Sequence, residues 1–146
     1  VDTEETFDPA TAARAGVDLR RVLWVRCGGR RDLALRAADL LVRCPGFRLV
    51  GLDFGERAPG LSLALAFRLR LLVRRTDTTL VVLARRRVLG AGAGLAVRTV
   101  RREVAWNGPG PLPTRLAGVE TGLEVVRCRG QFRSLIPPER VQWWAA

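Results

Sequence analysis

Val1 to Cys27, VDTEETFDPATAARAGVDLRRVLWVRC, is the stretch whose reading decides the fold. It opens on a short run that ends in carboxylates, Asp2-Thr3-Glu4, and passes through Phe7-Asp8-Pro9 into an alanine-rich helical segment. Gly16-Val17-Asp18 turns the chain, and an apolar run then reaches Cys27. The pattern is strand, short helix, strand. Glu4, Glu5 and Thr6 precede the helix, where carboxylates complement the positive end of the helix dipole.

Outward from that unit the alternation continues. Arg30 to Cys44 places Leu33, Ala37, Leu40 and Leu41 at helical spacing, with Arg31, Asp32, Arg36, Asp39 and Arg43 mostly on other faces. Pro45-Gly46 ends this amphipathic helix, and Phe47 to Asp53 follows as an apolar strand closed by a carboxylate. Ala58-Pro59-Gly60 breaks the chain before a helix from about Leu61 to Arg75. Thr78 to Leu83 is β-branched and apolar, fit for a strand covered on both faces. Strands that alternate with helices predict right-handed crossovers and a mostly parallel sheet.

After Arg85-Arg86-Arg87 the character changes. Gly90-Ala91-Gly92-Ala93-Gly94 is too flexible for a strand centre. Antiparallel strands are expected over about Val97 to Trp106 and Gly118 to Arg129, joined through a loop at Asn107-Gly108-Pro109-Gly110-Pro111. After Pro137-Pro138, Arg140 to Trp144 adds a short edge strand. The 146 residues, 48% hydrophobic and 27% charged, suffice for one compact domain over 1–146.

The composition excludes several chemistries. No histidine is present, so Ser-His and Cys-His nucleophile pairs and His-bearing zinc sites are ruled out, and no metal site is expected. All 25 basic side chains are arginine. Only Ser62 and Ser134 supply serine hydroxyls. Cys27, Cys44 and Cys128 show no C-x-x-C spacing and read as reduced, structural thiols. The net charge of +11 points to a nucleic-acid surface or an acidic partner, or to biased amino-acid usage in a chain without Lys, Met, Tyr or His. The apolar runs are too short or too interrupted to span a bilayer, and no signal-peptide pattern opens the chain; a cytoplasmic, membrane-free protein is the default expectation.

Taken in order, Asp2-Thr3-Glu4, Phe7-Asp8-Pro9 and Gly16-Val17-Asp18 resemble the nucleotide-binding core of RecA recombinases, in which a D-x-E strand end, a DP turn, a helix and a GVD turn follow one another. Gly118 to Arg127 resembles that family's late G-x-E-T strand. The resemblance implies an α/β RecA-like P-loop NTPase core: a mostly parallel central sheet with flanking helices, and antiparallel strands toward the C-terminus. It implies that Glu4 stands where RecA has the glutamate that activates water. It also places Asp53 at the Walker B aspartate, followed by Phe54 instead of a small polar residue. The phosphate loop G-x-x-x-x-G-K-[ST] is absent from this chain, so the chain is a fragment or the ATPase is lost; Glu4 and Asp53 are then vestigial, and no catalytic residue or cofactor is expected.

In RecA the strand matching Leu80 to Leu83 ends in a sensing Asn-Gln pair, whereas here Ala84-Arg85 occupies the place. The DNA-binding loop that follows in the family corresponds to Arg85, Arg86, Arg87, Gly90, Gly92 and Gly94, which the resemblance marks for phosphate contacts without base readout. Trp143 and Trp144 alternate along the last strand, which leaves at least one as a candidate partner anchor.

With the phosphate loop lacking, the sensor replaced and an arginine-rich strand over Leu123 to Gly130, the chain looks like the ImuA family, RecA-like proteins of the bacterial mutasome. That resemblance implies a non-catalytic accessory factor in the damage response and error-prone translesion synthesis. Its implied partners are an inactive Y-family polymerase homologue and an error-prone replicative-type polymerase. RecA and single-stranded DNA stay open as further partners. The alternatives are a fragment of an ATP- and magnesium-dependent recombinase that binds single-stranded DNA, and a RecA-fold regulator unrelated to mutagenesis.

Overall fold

The computed structural model describes residues 1–56, 60–109 and 114–129, together with the backbone of Arg140–Trp144. The chain is mixed α/β and divides into two compact units, Val1–Gly92 and Ala93–Ala146.

In the first unit, α1 (Pro9–Arg14) starts behind Asp8, whose carboxylate accepts from the backbone N–H groups of Ala10 and Thr11 at 3.1 Å each. A single 3-10 turn, Leu19–Arg21, follows. Helix α2 spans Arg31–Arg43 and leads to strand β1, Leu49–Asp53. Ser62 then caps α3 (Leu63–Val73) by accepting from the Leu65 N–H at 3.3 Å, and strand β2 covers Thr79–Leu83. β1 and β2 run parallel, from Leu49 opposite Thr79 to Asp53 opposite Leu83. The first stretch adds to this sheet only through single bridges: Asp2 pairs in parallel with Arg26 on one side and with Asp53 on the other. Full strands were expected at both places. Each appears as one rung, with the Asp2 N–H donating to Val25 and the Cys27 N–H to Asp2 on one side, and the Thr3 N–H donating to Asp53 and the Asp53 N–H to Val1 on the other.

The helices share one face of this sheet. Val50, Leu52, Leu80 and Val82 alternate toward α2 and α3, and the core there gathers Phe54, Val42, Ala34, Ala38, Leu72 and Val88. Two expectations need correction here. The buried stripe of α2 is Ala34, Ala38 and Val42, while Leu40 is 68% exposed. Methyl side chains let the helix backbone sit close to β1, and the longer leucines are displaced to its flanks. Likewise β2 is covered on one face only, since Val81 and Leu83 are 41% and 53% exposed. Both α2 and α3 return the chain in the same lateral direction, and right-handed crossovers then place both on the same side.

The glycine stretch is more ordered than its composition suggests. Gly90–Gly92 forms a 3-10 turn, and Gly92 is buried against α3, where a built Cβ would lie 2.7 Å from the Ala66 Cβ.

The second unit is a three-stranded antiparallel sheet in the order β3 (Leu95–Asn107), β4 (Arg115–Cys128), β5 (Arg140–Trp144). Irregularities at Ala96/Val97, Arg101/Glu103 and Ala105/Trp106 break the β3–β4 register and add twist. The Arg129 N–H donates to the Gly94 carbonyl at 2.9 Å and closes the open end of this ribbon. β5 sets Trp143 opposite Val119 and Trp144 opposite Gly118. The side chains of both tryptophans lie outside the described residues, as do Ala58-Pro59, Gly110-Pro111 and Pro137-Pro138.

Candidate functional site

Parallel strands deliver their last residues to one edge, and here that edge collects carboxylates. Asp2, Glu4 and Asp53 come from adjacent positions in the sheet, and Glu56 joins them from the loop after β1. Thr6, Gly55, Ala84 and Arg85 complete a shallow depression.

Each carboxylate has partners within the chain. Asp2 is nearly fully buried; its oxygens accept from the Thr6 N–H at 3.2 Å, the Phe7 N–H at 2.9 Å and the Trp24 indole N–H at 3.2 Å. Burial by itself pushes this carboxyl up, but the donors of Phe7, Thr6, Trp24 and Glu5 outweigh it and hold the group below the usual aspartate value. Glu5 has a positive φ of 59°, the turn that brings successive N–H groups round toward Asp2, and its carboxylate pairs with Arg26. Arg26 in turn sits 5.1 Å over the Trp24 ring, and Phe7 meets that ring edge-on at 5.5 Å.

Asp53 accepts from the Gly55 N–H at 2.7 Å and from the Thr6 hydroxyl at 3.4 Å. Glu4 accepts from the Glu56 N–H at 3.1 Å and packs over Gly55, where any Cβ would overlap its carboxylate. Arg85 pairs with Glu56. The edge is therefore a self-satisfied network.

The sequence-derived site residues divide between places. Glu4, Asp53 and Arg85 meet at this edge. Arg86 and Arg87 are exposed beyond it, Gly90 and Gly92 lie in the 3-10 turn, and Gly94 belongs to the second unit. Sequence reasoning missed Asp2, Trp24 and Glu56. Only the lone indole in an otherwise aliphatic run hinted at the first two.

Arginine is also dense on the second unit, with Arg98, Arg101, Arg102, Arg115, Arg127 and Arg129 on or beside the β3–β4 ribbon. Arg102 approaches Glu124 at 3.7 Å across the strands. Of the thiols, Cys27 is buried and its pKa is pushed up by that burial, and all three cysteines are free. No helix among the described residues is long and apolar enough to cross a membrane. No family model matches the chain, and no curated protein matches it.

Proposed function

We propose that the protein is a non-catalytic RecA-like accessory factor of the DNA damage response, ImuA-like, supporting error-prone translesion synthesis through contacts with polymerase subunits. One observation carries the reading: the Glu4 carboxylate, in the position the resemblance gives to a water-activating group, is engaged by the Glu56 N–H and stacked over Gly55. That contact spends one oxygen of the carboxylate on holding the loop after β1, a structural use that supports the non-catalytic reading. Arg85, where a sensing amide would stand, is likewise committed to Glu56.

Asp53 accepts from the Gly55 N–H and the Thr6 hydroxyl within the chain, and no lysine is present for a triphosphate; both support the accessory reading over a nucleotide-dependent one. The competing reading, an ATP-dependent recombinase, draws on the same edge, since Glu4 and Asp53 do sit at the carboxyl ends of neighbouring parallel positions.

Steady-state ATP hydrolysis with and without single-stranded DNA separates the two. The accessory role expects no turnover in either condition. DNA-stimulated hydrolysis that disappears in Glu4→Gln would establish the recombinase instead.

A further inference from the structure

The chain contains a single asparagine, Asn107, and glycine follows it. An asparagine amide carbon lies within reach of the next residue's backbone nitrogen, which can close a succinimide ring on it. A side chain on that next residue hinders the approach, and glycine has none. No aspartate in the chain is followed by glycine, so the ring has no second favoured place to form.

The fold leaves this dipeptide accessible. Asn107 is the last residue of β3 and is exposed, and Gly108 beside it is exposed with a φ of 154°. Among the described residues the Gly108 N–H donates to no backbone carbonyl, so the attacking nitrogen is not held in the ladder. The register just before it is irregular, at Ala105/Trp106, which weakens the hold of the strand on its own end.

The residue opposite Asn107 on β4 is Arg115. Directly opposed residues of an antiparallel pair share a face, so a guanidinium belongs to the same small patch as the amide. A cation there favours the deprotonated backbone nitrogen and the oxyanion that develops as it attacks.

We propose that Asn107-Gly108 is a site of spontaneous deamidation, assisted by Arg115. The Gly108 nitrogen gives its proton to hydroxide and bonds to Cγ of Asn107. The Cγ–Nδ2 bond then breaks, and Nδ2 takes a proton from water and leaves as ammonia. Water opens the resulting succinimide at either carbonyl. Opening at Cγ restores the ordinary peptide with aspartate at 107, and opening at the main-chain carbonyl gives isoaspartate, whose backbone runs through Cβ and Cγ. Either product sets a new carboxylate in the patch with Arg115 and lowers the net charge of +11 by one. The isoaspartyl form also lengthens the chain at the end of β3 and breaks the last rung. None of this depends on the accessory role above.

The test incubates the whole chain beside a free peptide of residues 104–109 at mildly alkaline pH. Residue 107 is followed by peptide mapping with mass spectrometry, and isoaspartate by enzymatic methyl transfer from S-adenosylmethionine. We expect the folded chain to convert at a rate no more than about tenfold below that of the peptide. Arg115→Gln should slow the chain severalfold. Added salt should slow the wild type toward the rate of that variant, because charges at exposed positions are screened. Gly108→Ala should slow it further by crowding the nitrogen. An amide that stays intact in the chain while the peptide converts would overturn the site, since the strand would then protect it. Rates indifferent to both Arg115→Gln and salt would overturn the part given to Arg115.

Discussion

The indole Nε1 of Trp24 donates to Oδ2 of Asp2 at 3.2 Å, and so fastens the central rung of the sheet to the residues that flank it on one side. The same carboxylate gathers two backbone N–H groups, of Thr6 and Phe7. Asp2→Asn keeps the shape but exchanges an acceptor-only group for one with a donor pointed at donors. We expect a loss of about 1–3 kcal/mol at neutral pH. The folded-state pKa of Asp2 lies below its ordinary value of 3.8, so its contribution is complete above that value and drains away as pH falls through the folded one. Urea unfolding of wild type and variant should therefore differ fully near pH 7 and begin to converge only as pH falls below about 4.

Gly92 answers a different kind of demand. With a built Cβ 2.7 Å from Ala66 Cβ and 3.0 Å from the Ala66 carbonyl, Gly92→Ala must push the 3-10 turn off α3. The expected cost is about 1–3 kcal/mol, read by thermal or urea unfolding. Gly92→Ala combined with Ala66→Gly should recover only part of it, because the close approach to the residue 66 backbone remains and a glycine inside α3 costs about 1 kcal/mol.

If the arginines after β2 meet single-stranded DNA, binding will be non-specific and will weaken linearly in log salt. Replacing Arg85, Arg86 and Arg87 together by alanine should flatten the slope by about 2 units, at about 0.7 per phosphate contact. Arg85 already pairs with Glu56, so Arg86 and Arg87 should account for most of the change. An unaltered slope would assign DNA contacts to the β3–β4 ribbon or to no part of the chain.

Trp143 and Trp144 oppose Val119 and Gly118 on β4. As partner anchors, alanine at either should weaken capture of a polymerase subunit by about 2 kcal/mol or more and leave the melting temperature nearly unchanged. Unfolding of both variants, or undiminished capture, would remove the tryptophans from the interface.

Much of this architecture could be read from residue patterns, and the failures have specific causes. Pro45-Gly46 and the apolar run to Asp53 marked the end of α2 and the course of β1, because local breakers and β-branched or aliphatic runs act within a few residues. The buried stripe of α2 was misplaced, since large side chains such as Leu40 weigh more in any hydrophobic pattern than the alanines that actually meet the sheet. That β2 has one open face depends on which way two crossovers turn, a relation between elements that no window of sequence contains. At the strand ends, Glu4 and Asp53 were visible as carboxylates. Their clasps, Glu56 and Gly55, lie about fifty residues from Glu4 and could be found only in three dimensions.

The pairing of Asp2 also sets an order in time. Its two neighbours in the sheet, Arg26 and Asp53, follow it by 24 and 51 positions, whereas β3 and β4 are joined by one short connection. Contacts between distant positions form slowly, because the intervening chain must first give up its freedom. On refolding from denaturant the ribbon can therefore zip outward from its own connection, while the edge around Asp2 closes only after a loop of about fifty residues has been drawn in.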